Sequence, residues 1–82
     1  MLRLVCMYDK KAEQYNSPIS TAGIGQLARA IGEAVNSPEK SEIFAKHPSD
    51  FQLFEVGMFN EVTGEITPCK PTFLLDINSL AE

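Results

Sequence analysis

Histidine, cysteine and grouped carboxylates are the residue types in this chain that could carry out chemistry. His47 is the only histidine, and no serine or cysteine stands near it in the arrangement of a nucleophile and its base. Glu55, Glu61 and Glu65 lie around a predicted hairpin turn, where solvated carboxylates lack the pocket that acid–base catalysis requires. The chain contains no phosphate-binding glycine loop, dinucleotide fingerprint or nucleophile elbow. We therefore expect a protein that is not an enzyme.

The cysteines point to neither a metal site nor a disulfide framework. Cys6 and Cys69 are the only two, and with one histidine they cannot supply four ligands to a structural zinc ion. The opening residues reach Asp9 after too short an apolar run for a signal sequence, and no run approaches the ~20 apolar residues of a membrane helix. We expect two buried thiols in a reducing cytoplasm, with no cofactor, no metal and no membrane contact.

The charge balance bears on the class of partner. Eleven acidic residues outnumber seven basic ones, which gives a net charge of −4. Sequence-independent DNA binding draws most of its affinity from lysine and arginine placed against phosphates. The basic residues here are scattered, at most in pairs: Arg3, Lys10, Lys11, Arg29, Lys40, Lys46 and Lys70. This composition disfavours DNA and favours a protein partner, although it leaves room for a local basic patch.

Length and hydrophobicity predict one small domain that associates with itself. A chain of 82 residues has room for a single domain, residues 1–82, and buries somewhat over ~60% of its unfolded surface. Apolar residues make up 44% of the sequence, which is enough for a folded core. So short a chain leaves apolar surface with little to cover it. We therefore expect a homo-oligomer.

The first half of the chain predicts a strand, a loop and a helix. The apolar run from Leu2 to Tyr8 is typical of a buried strand, and residues 12–19, with their Asn-Ser-Pro sequence, predict a loop. From about Ala22 to Val35, apolar residues recur at the spacing of one helical face, and Ser20 or Thr21 is the expected N-cap. This helix should pack on the sheet.

The second half predicts a short helix and a hairpin. Ser37 and Pro38 should begin a helix that runs from Glu39 to Lys46. Residues 51–59 alternate as a strand, with Phe54, Val56 and Met58 expected to face the main helix and Leu53, Glu55, Gly57 and Phe59 to be partly exposed. Residues 60–64 predict a turn in which Gly64 takes a positive φ, followed by a short strand over residues 65–67 that ends at Pro68. Residues 73–80 fit either a strand or a helical turn.

These elements predict an α+β fold. A small antiparallel sheet, made of the N-terminal strand and the C-terminal hairpin, should be packed by one main amphipathic helix and a short second helix.

Several short segments, in a fixed order along nearly the whole chain, resemble one family. They are Tyr8-Asp9-Lys10-Lys11-Ala12, Tyr15 with Pro18, Asn36-Ser37-Pro38, His47-Pro48-Ser49-Asp50-Phe51, Val56-Gly57-Met58-Phe59-Asn60 and Thr63-Gly64-Glu65-Ile66. Together they resemble the small nonstructural protein of gokushoviruses. These are microviruses with a circular single-stranded DNA genome that infect bacteria, including phages of chlamydia.

The resemblance implies a nonstructural or DNA-binding protein in the cytoplasm of the infected bacterium. It would act in viral genome replication, as synthesis passes to single-stranded genomes. Bases of single-stranded DNA stack on exposed aromatic rings beside a positively charged track. The candidate residues are Tyr8, Tyr15 and Phe59 for stacking and Arg3, Lys10, Lys11 and Lys46 for phosphates. We expect these four basic residues to converge in part on one face.

The alternative is an acidic protein-interaction module. It would dock on the phage replication initiator, a host factor or a capsid precursor, through an exposed sheet edge or an acidic face. The net charge of −4 favours this alternative, whereas the resemblance favours single-stranded DNA.

Overall fold

A computed structural model describes residues 1–82 and contains five strands and two helices. The strands are β1 (Leu2–Asp9), β2 (Gln14–Tyr15), β3 (Ile19–Thr21), β4 (Phe51–Phe59) and β5 (Ile66–Asp76), and the helices are α1 (Ile24–Val35) and α2 (Ile43–Lys46). Two 3₁₀ turns, Pro48–Asp50 and Ile77–Leu80, precede β4 and follow β5. The predicted fold class is confirmed: an antiparallel sheet with one main helix and a short second one. Neither helix has the length and apolar character needed to cross a membrane.

The sheet is antiparallel throughout and is built around β1 and β4. The strand order is β2-β1-β4-β5, and β3 also pairs with β1. β1 pairs along its whole length with β4, while Arg3–Val5 pair with β3 and Tyr8–Asp9 pair with β2. β5 therefore lies at one edge of the sheet, where only one of its two sides is hydrogen-bonded to a strand.

The hydrophobic core lies between α1 and one face of the sheet. Its six buried residues are Val5, Ile31, Val35, Phe51, Leu53 and Ile77. Ile31 and Val35, one turn apart on α1, meet side chains of β1 and β4. Ile77, in the 3₁₀ turn after β5, is fully excluded from solvent. Burial of an aliphatic side chain of this size stabilises a fold by ~1.5–3 kcal/mol, so these few residues supply much of the stability.

The predicted orientation of β4 is wrong in its most important positions. Phe51 and Leu53 face α1 and the core, whereas Phe54, which was expected there, points to the opposite face. Apolar residues occupy both alternating sets in this strand, so the two orientations are hard to tell apart from sequence. The register also shifts between Leu53 and Phe54 and again between Glu55 and Gly57 against β5.

The first connection and the start of the main helix also differ from expectation. Residues 12–19 are not all loop, because β2 and the first residue of β3 lie within them and pair with the free side of β1. The helix begins at Ile24 with Gly23 at its N-cap and no side-chain cap. Ser20 and Thr21 are instead part of β3, and the Thr21 Oγ1 accepts a hydrogen bond from the Gly23 amide at 3.3 Å. Both residues predicted to cap the helix therefore lie at or in a strand, and neither caps α1.

The second helix is shorter than predicted and the last strand is longer. The helix covers only Ile43–Lys46, and the Ser37 Oγ accepts from the Glu39 amide at 3.3 Å in a local turn. β5 continues through Pro68 and Pro71 to Asp76, because proline is tolerated in an edge strand. The open choice for residues 73–80 is thereby resolved as a strand followed by a 3₁₀ turn. Gly64 has the predicted positive φ, at 80°.

The two cysteines differ in burial. Cys6 is buried as expected, and its burial raises the pKa of its thiol. The prediction for Cys69 is wrong, because its position on the edge strand β5 leaves it exposed.

Candidate functional site

Four aromatic side chains form a continuous cluster on the sheet face opposite α1. Tyr8 and Tyr15 have ring centroids 4.7 Å apart, and Phe54 lies 5.9 Å from Tyr8 and 5.5 Å from Tyr15. Phe73 extends the cluster, with its centroid 5.8 Å from that of Phe54. Three of the four contacts are edge-to-face, a geometry that aromatic pairs favour. We call this surface, formed by Tyr8, Tyr15, Phe54 and Phe73, the aromatic face.

Strand pairing places these rings together. Tyr8 lies directly opposite Tyr15 across β1 and β2, and Phe54 lies directly opposite Phe73 across β4 and β5. Directly opposed residues project to the same side of an antiparallel pair. Because Leu53 points into the core, its neighbour Phe54 must point away from it.

The aromatic face is open to solvent. Tyr15 is 46% exposed and Phe73 is 50% exposed, while Tyr8 and Phe54 are half-buried between them. The core residues of α1 and of the turn Ile77–Leu80 pack on the other face. Contacts between the four rings therefore help to hold them in place, while Tyr15 and Phe73 remain accessible to solvent.

Two lysines stand at one end of the aromatic face. Lys10 and Lys11 lie in the turn between β1 and β2, immediately after Tyr8 and Asp9, and both are exposed. The Asp9 carboxylate holds this turn by accepting hydrogen bonds from the amides of Lys11 (3.0 Å) and Ala12 (3.1 Å). No lysine in the chain forms an ion pair, whereas both arginines do. Neither lysine of this turn is ion-paired, and Lys10 lines a cavity with Asp76 and with Asn78 of the turn after β5.

Arg3 does not share this site. Its guanidinium forms a two-pronged ion pair with Glu55, which includes a 3.1 Å bond from Nε to Oε2. Hydrogen bonding between the two groups raises the pKa of Arg3 and lowers the pKa of Glu55. Lys10 lies seven positions after Arg3 in the chain, a distance of roughly 23 Å along an extended strand. Arg3 is therefore already neutralised and lies at the far end of the sheet.

Phe59 and Lys46 also lie away from the aromatic face. Phe59 pairs with Leu2 and Ile66 at the same distal end as Arg3, and it is half-buried. Lys46 is the last residue of α2, so it belongs to the helical layer. The turn after α2 does approach Lys10, whose amide donates a 2.8 Å hydrogen bond to the carbonyl of Asp50. Of the seven predicted residues, Tyr8 and Tyr15 contact each other, and Lys10 and Lys11 lie in the turn that joins their two strands.

The comparison with protein families identifies what kind of protein carries this site. A family model described as "Phage ORF5 protein" matches residues 2–80. The chain belongs to the phage ORF5 protein family. No match is found among the curated proteins or among the solved structures. The match confirms the phage part of the predicted resemblance, and the assignment to gokushoviruses stays a prediction.

Sequence reasoning missed two residues of the aromatic face in this phage ORF5 protein. The alternation of residues 51–59 predicts that Phe54 faces the core, and Phe73 lies in a segment whose sequence fits either a strand or a helical turn. The signal that could have found both is the pairing of β4 with β5, which places the two rings directly opposite each other. The residue of β5 that lies opposite Phe54 cannot be found by counting outward from the turn, because the register shifts twice between the two strands.

A second surface of this phage ORF5 protein is an acidic groove beside α2. Two adjoining cavities of about 240 and 230 Å³ share Asn16, Glu42 and Phe44 in their walls. Met7 and Leu53 form part of the floor of the larger one, while Asp9 lines the smaller one. Ile43, at the rim, is 65% exposed. The groove therefore combines apolar surface with two carboxylates.

Proposed function

We propose that this phage protein binds single-stranded DNA through the aromatic face and the Lys10–Lys11 turn. The observation that carries the proposal is that four contacting aromatic rings lie on an open sheet face, beside a turn whose two lysines form no ion pair. Stacking on an aromatic side chain contributes about 1–3 kcal/mol per base and tolerates every base. The protein would therefore bind by stacking and read little sequence.

The electrostatic contribution is small in this proposal. With two lysines against phosphates, the logarithm of the binding constant should fall against the logarithm of salt with a slope of about −1.4. The net charge of −4 opposes approach of DNA to the rest of the surface. The strand should therefore be held at the aromatic face alone, over a few nucleotides.

The biological setting follows from the family and from the resemblance. Membership of a phage family, together with the resemblance to gokushovirus nonstructural proteins, supports a role in viral genome replication. A protein that coats or delivers new single strands would work in the cytoplasm of the infected host. Such a role needs a binding surface and no catalytic group, and we propose a binding protein rather than an enzyme.

The test is a salt titration of binding to a fluorescent oligothymidylate, read by anisotropy. Wild-type protein should bind weakly and lose affinity as salt rises. Lys10→Glu with Lys11→Glu should abolish binding, and Tyr15→Ala should weaken it about fivefold or more, as expected for loss of one stacked base. The matched control, Lys40→Glu with Lys46→Glu, changes the net charge equally at positions away from the aromatic face. Equal loss in the control, or no binding of wild type at low salt, would contradict the proposal.

The acidic groove favours a second candidate, a protein-interaction module. Glu42 and Asp9 beside the exposed Ile43 complement a segment that carries both basic and apolar residues. Such a segment could belong to the replication initiator, a host factor or a capsid precursor. Overlapping synthetic peptides of the phage proteins provide the probe: a basic peptide should bind wild type and lose affinity in Glu42→Lys. Glu39→Lys, outside the groove, is the matched control. If no peptide binds wild type, this candidate is rejected.

A further inference from the structure

The outer edge of β5 is the longest unpaired strand edge in the molecule. β5 has eleven residues and pairs only with β4. The other sheet edge is formed by the short strands β2 and β3, of two and three residues. An unpaired edge presents a row of amide N–H and carbonyl groups that can pair with another chain.

The two halves of β5 differ in their protection against such pairing. Residues 66–71 contain Pro68, Lys70 and Pro71, and both proline and lysine discourage pairing at an edge. Residues 72–76 contain neither residue type and carry Phe73, Leu74 and Leu75. Phe73 is 50% exposed. The second half is therefore the less protected of the two against pairing with a further strand.

We propose that two copies of this chain pair antiparallel through residues 70–76 of β5, about a two-fold axis at Phe73, which sets Pro71 of each copy opposite Leu75 of the other. Lys70 and Asp76 each lie three residues from Phe73, on opposite sides. This register places Lys70 of each copy opposite Asp76 of the other, and the two-fold axis repeats the contact. Neither charge forms an ion pair within the chain; the Asp76 carboxylate accepts a 3.0 Å hydrogen bond from Gln52 Nε2 and lines a cavity with Lys10.

Neighbouring registers lack this complementarity. A two-fold axis at Pro71 would set one proline against the other and place Asp76 opposite Ile66. An axis at Leu75 would place Lys70 opposite Leu80, which lies beyond the strand. Lys70 and Asp76 are the only charged residues of β5, so the axis at Phe73 is the register that pairs both.

The dimer would join two sheets into one and bring the two Phe73 rings together. Because Phe73 contacts Phe54, the two aromatic faces would become one continuous surface. The contact is short, seven residues per strand, and would bury less than the ~1,200 Å² of a stable complex. We expect a dimer that forms at high protein concentration and dissociates on dilution. This inference does not depend on DNA binding.

Sedimentation equilibrium without DNA, over a wide range of protein concentrations, tests the proposal. Wild type should show a monomer–dimer equilibrium. Lys70→Glu should weaken the dimer about tenfold, since each of two exposed ion pairs becomes a like-charge contact. The exchange Lys70→Glu with Asp76→Lys should recover affinity to within about threefold of wild type. Lys40→Glu, the matched single change outside β5, should leave the equilibrium unchanged.

Three outcomes would overturn the dimer: wild type monomeric at every concentration, Lys70→Glu without effect, or no recovery in the exchange variant. If Asp76→Lys disturbs the fold, amide hydrogen exchange of wild type decides instead. Protection of residues 72–76 should rise with protein concentration, and unchanged protection would overturn the pairing. Since Lys10 and Lys11 are intact in all these variants, failure of the dimer and failure of DNA binding are separately observable.

Discussion

The two faces of the sheet differ in how completely they are covered. On the face beneath α1, Val5 is 0% and Leu53 is 1% exposed, whereas Tyr15 and Phe73 on the aromatic face are 46% and 50% exposed. Leu53 and Phe54 are neighbours in β4, yet one belongs to the core and the other to the open cluster. A chain of 82 residues supplies one long helix, which covers one face. The other face keeps apolar rings that are available for binding.

Leu53→Ala should have the largest effect on stability. Leu53 is 1% exposed at the centre of the core, so its truncation leaves a cavity and should lower the free energy of unfolding by about 2–5 kcal/mol. Urea denaturation followed by circular dichroism provides the measurement. Tyr15→Ala on the aromatic face is the control and should cost about 1 kcal/mol or less. Equal losses of unfolding free energy in the two variants would contradict the difference in burial between the two faces.

Gly57→Ala should have the next largest effect, because Gly57 stands where the register of β4 shifts. A Cβ at this position would lie 2.6 Å from the Thr67 carbonyl oxygen and 3.2 Å from the Pro68 Cα, both in the backbone of β5. Separation of the strands should cost about 1–3 kcal/mol of unfolding free energy in the same urea assay. Gly25→Ala is the control, since nothing lies within 4 Å of its added Cβ in helix α1. It should stabilise the protein by up to about 1 kcal/mol.

Phe54→Leu should separate stability from binding. Leucine keeps most of the apolar volume, so the free energy of unfolding should fall by less than about 1.5 kcal/mol. Phe54 contacts Tyr8, Tyr15 and Phe73, and its loss removes three of the four aromatic contacts in the cluster. If single-stranded DNA stacks there, affinity for oligothymidylate should drop about fivefold or more. Unchanged affinity would limit the aromatic face to a structural role.

The sequence predicts the elements of this fold better than their faces and pairings. Strong apolar periodicity located α1 to within two residues at its start, and Gly64 revealed the hairpin turn. The prediction of which side of β4 meets the core is wrong. Leu53 and Phe54 are both apolar, and only tertiary packing selects between them. Tyr8, Lys10, Lys11 and Tyr15 were found because they are close in sequence. Phe73 joins them only through pairing of distant strands, which no local pattern encodes.

Removal of the Arg3–Glu55 ion pair should change how stability depends on pH. Hydrogen bonding to Arg3 lowers the pKa of Glu55 in the folded state, so this contribution to stability is present above the ordinary glutamate pKa of about 4.3. It is lost as pH falls through the lowered folded-state pKa. Arg3→Met should therefore reduce stability at pH 7 and flatten its decline under acid, as measured by urea unfolding from pH 7 to pH 2.

Two comparisons make that experiment specific. Arg29→Met is the matched control, because its pair with Glu33 is 3.7 Å long and both side chains are largely exposed. It should leave the acid profile close to that of wild type. Some acid dependence should persist in Arg3→Met, since a hydrogen bond from the N-terminal amine lowers the pKa of Glu61 as well. A profile identical to wild type in Arg3→Met would show that the pair is not formed in solution.

The rate at which a thiol reagent labels Cys6 should measure how well the aromatic face shields the strand beneath it from solvent. Cys69 is exposed and should react at once, whereas Cys6 is 5% exposed, and its burial raises the pKa of its thiol. Cys6 can react only when the structure opens locally; an opening free energy of about 3 kcal/mol would slow it on the order of 100-fold.

The source of that protection can be located with one further variant. Cys6 lies directly opposite Phe54 across β1 and β4, so the ring beside it belongs to the aromatic face. In a Cys69→Ser background, Phe54→Ala should accelerate labelling of Cys6 about tenfold, while Ile43→Ala, on the helical side, should leave the rate unchanged. Acceleration by both variants would mean that Cys6 is reached through global unfolding. Acceleration by Phe54→Ala alone would show that the open face, although half exposed, shields the strand on which it is built.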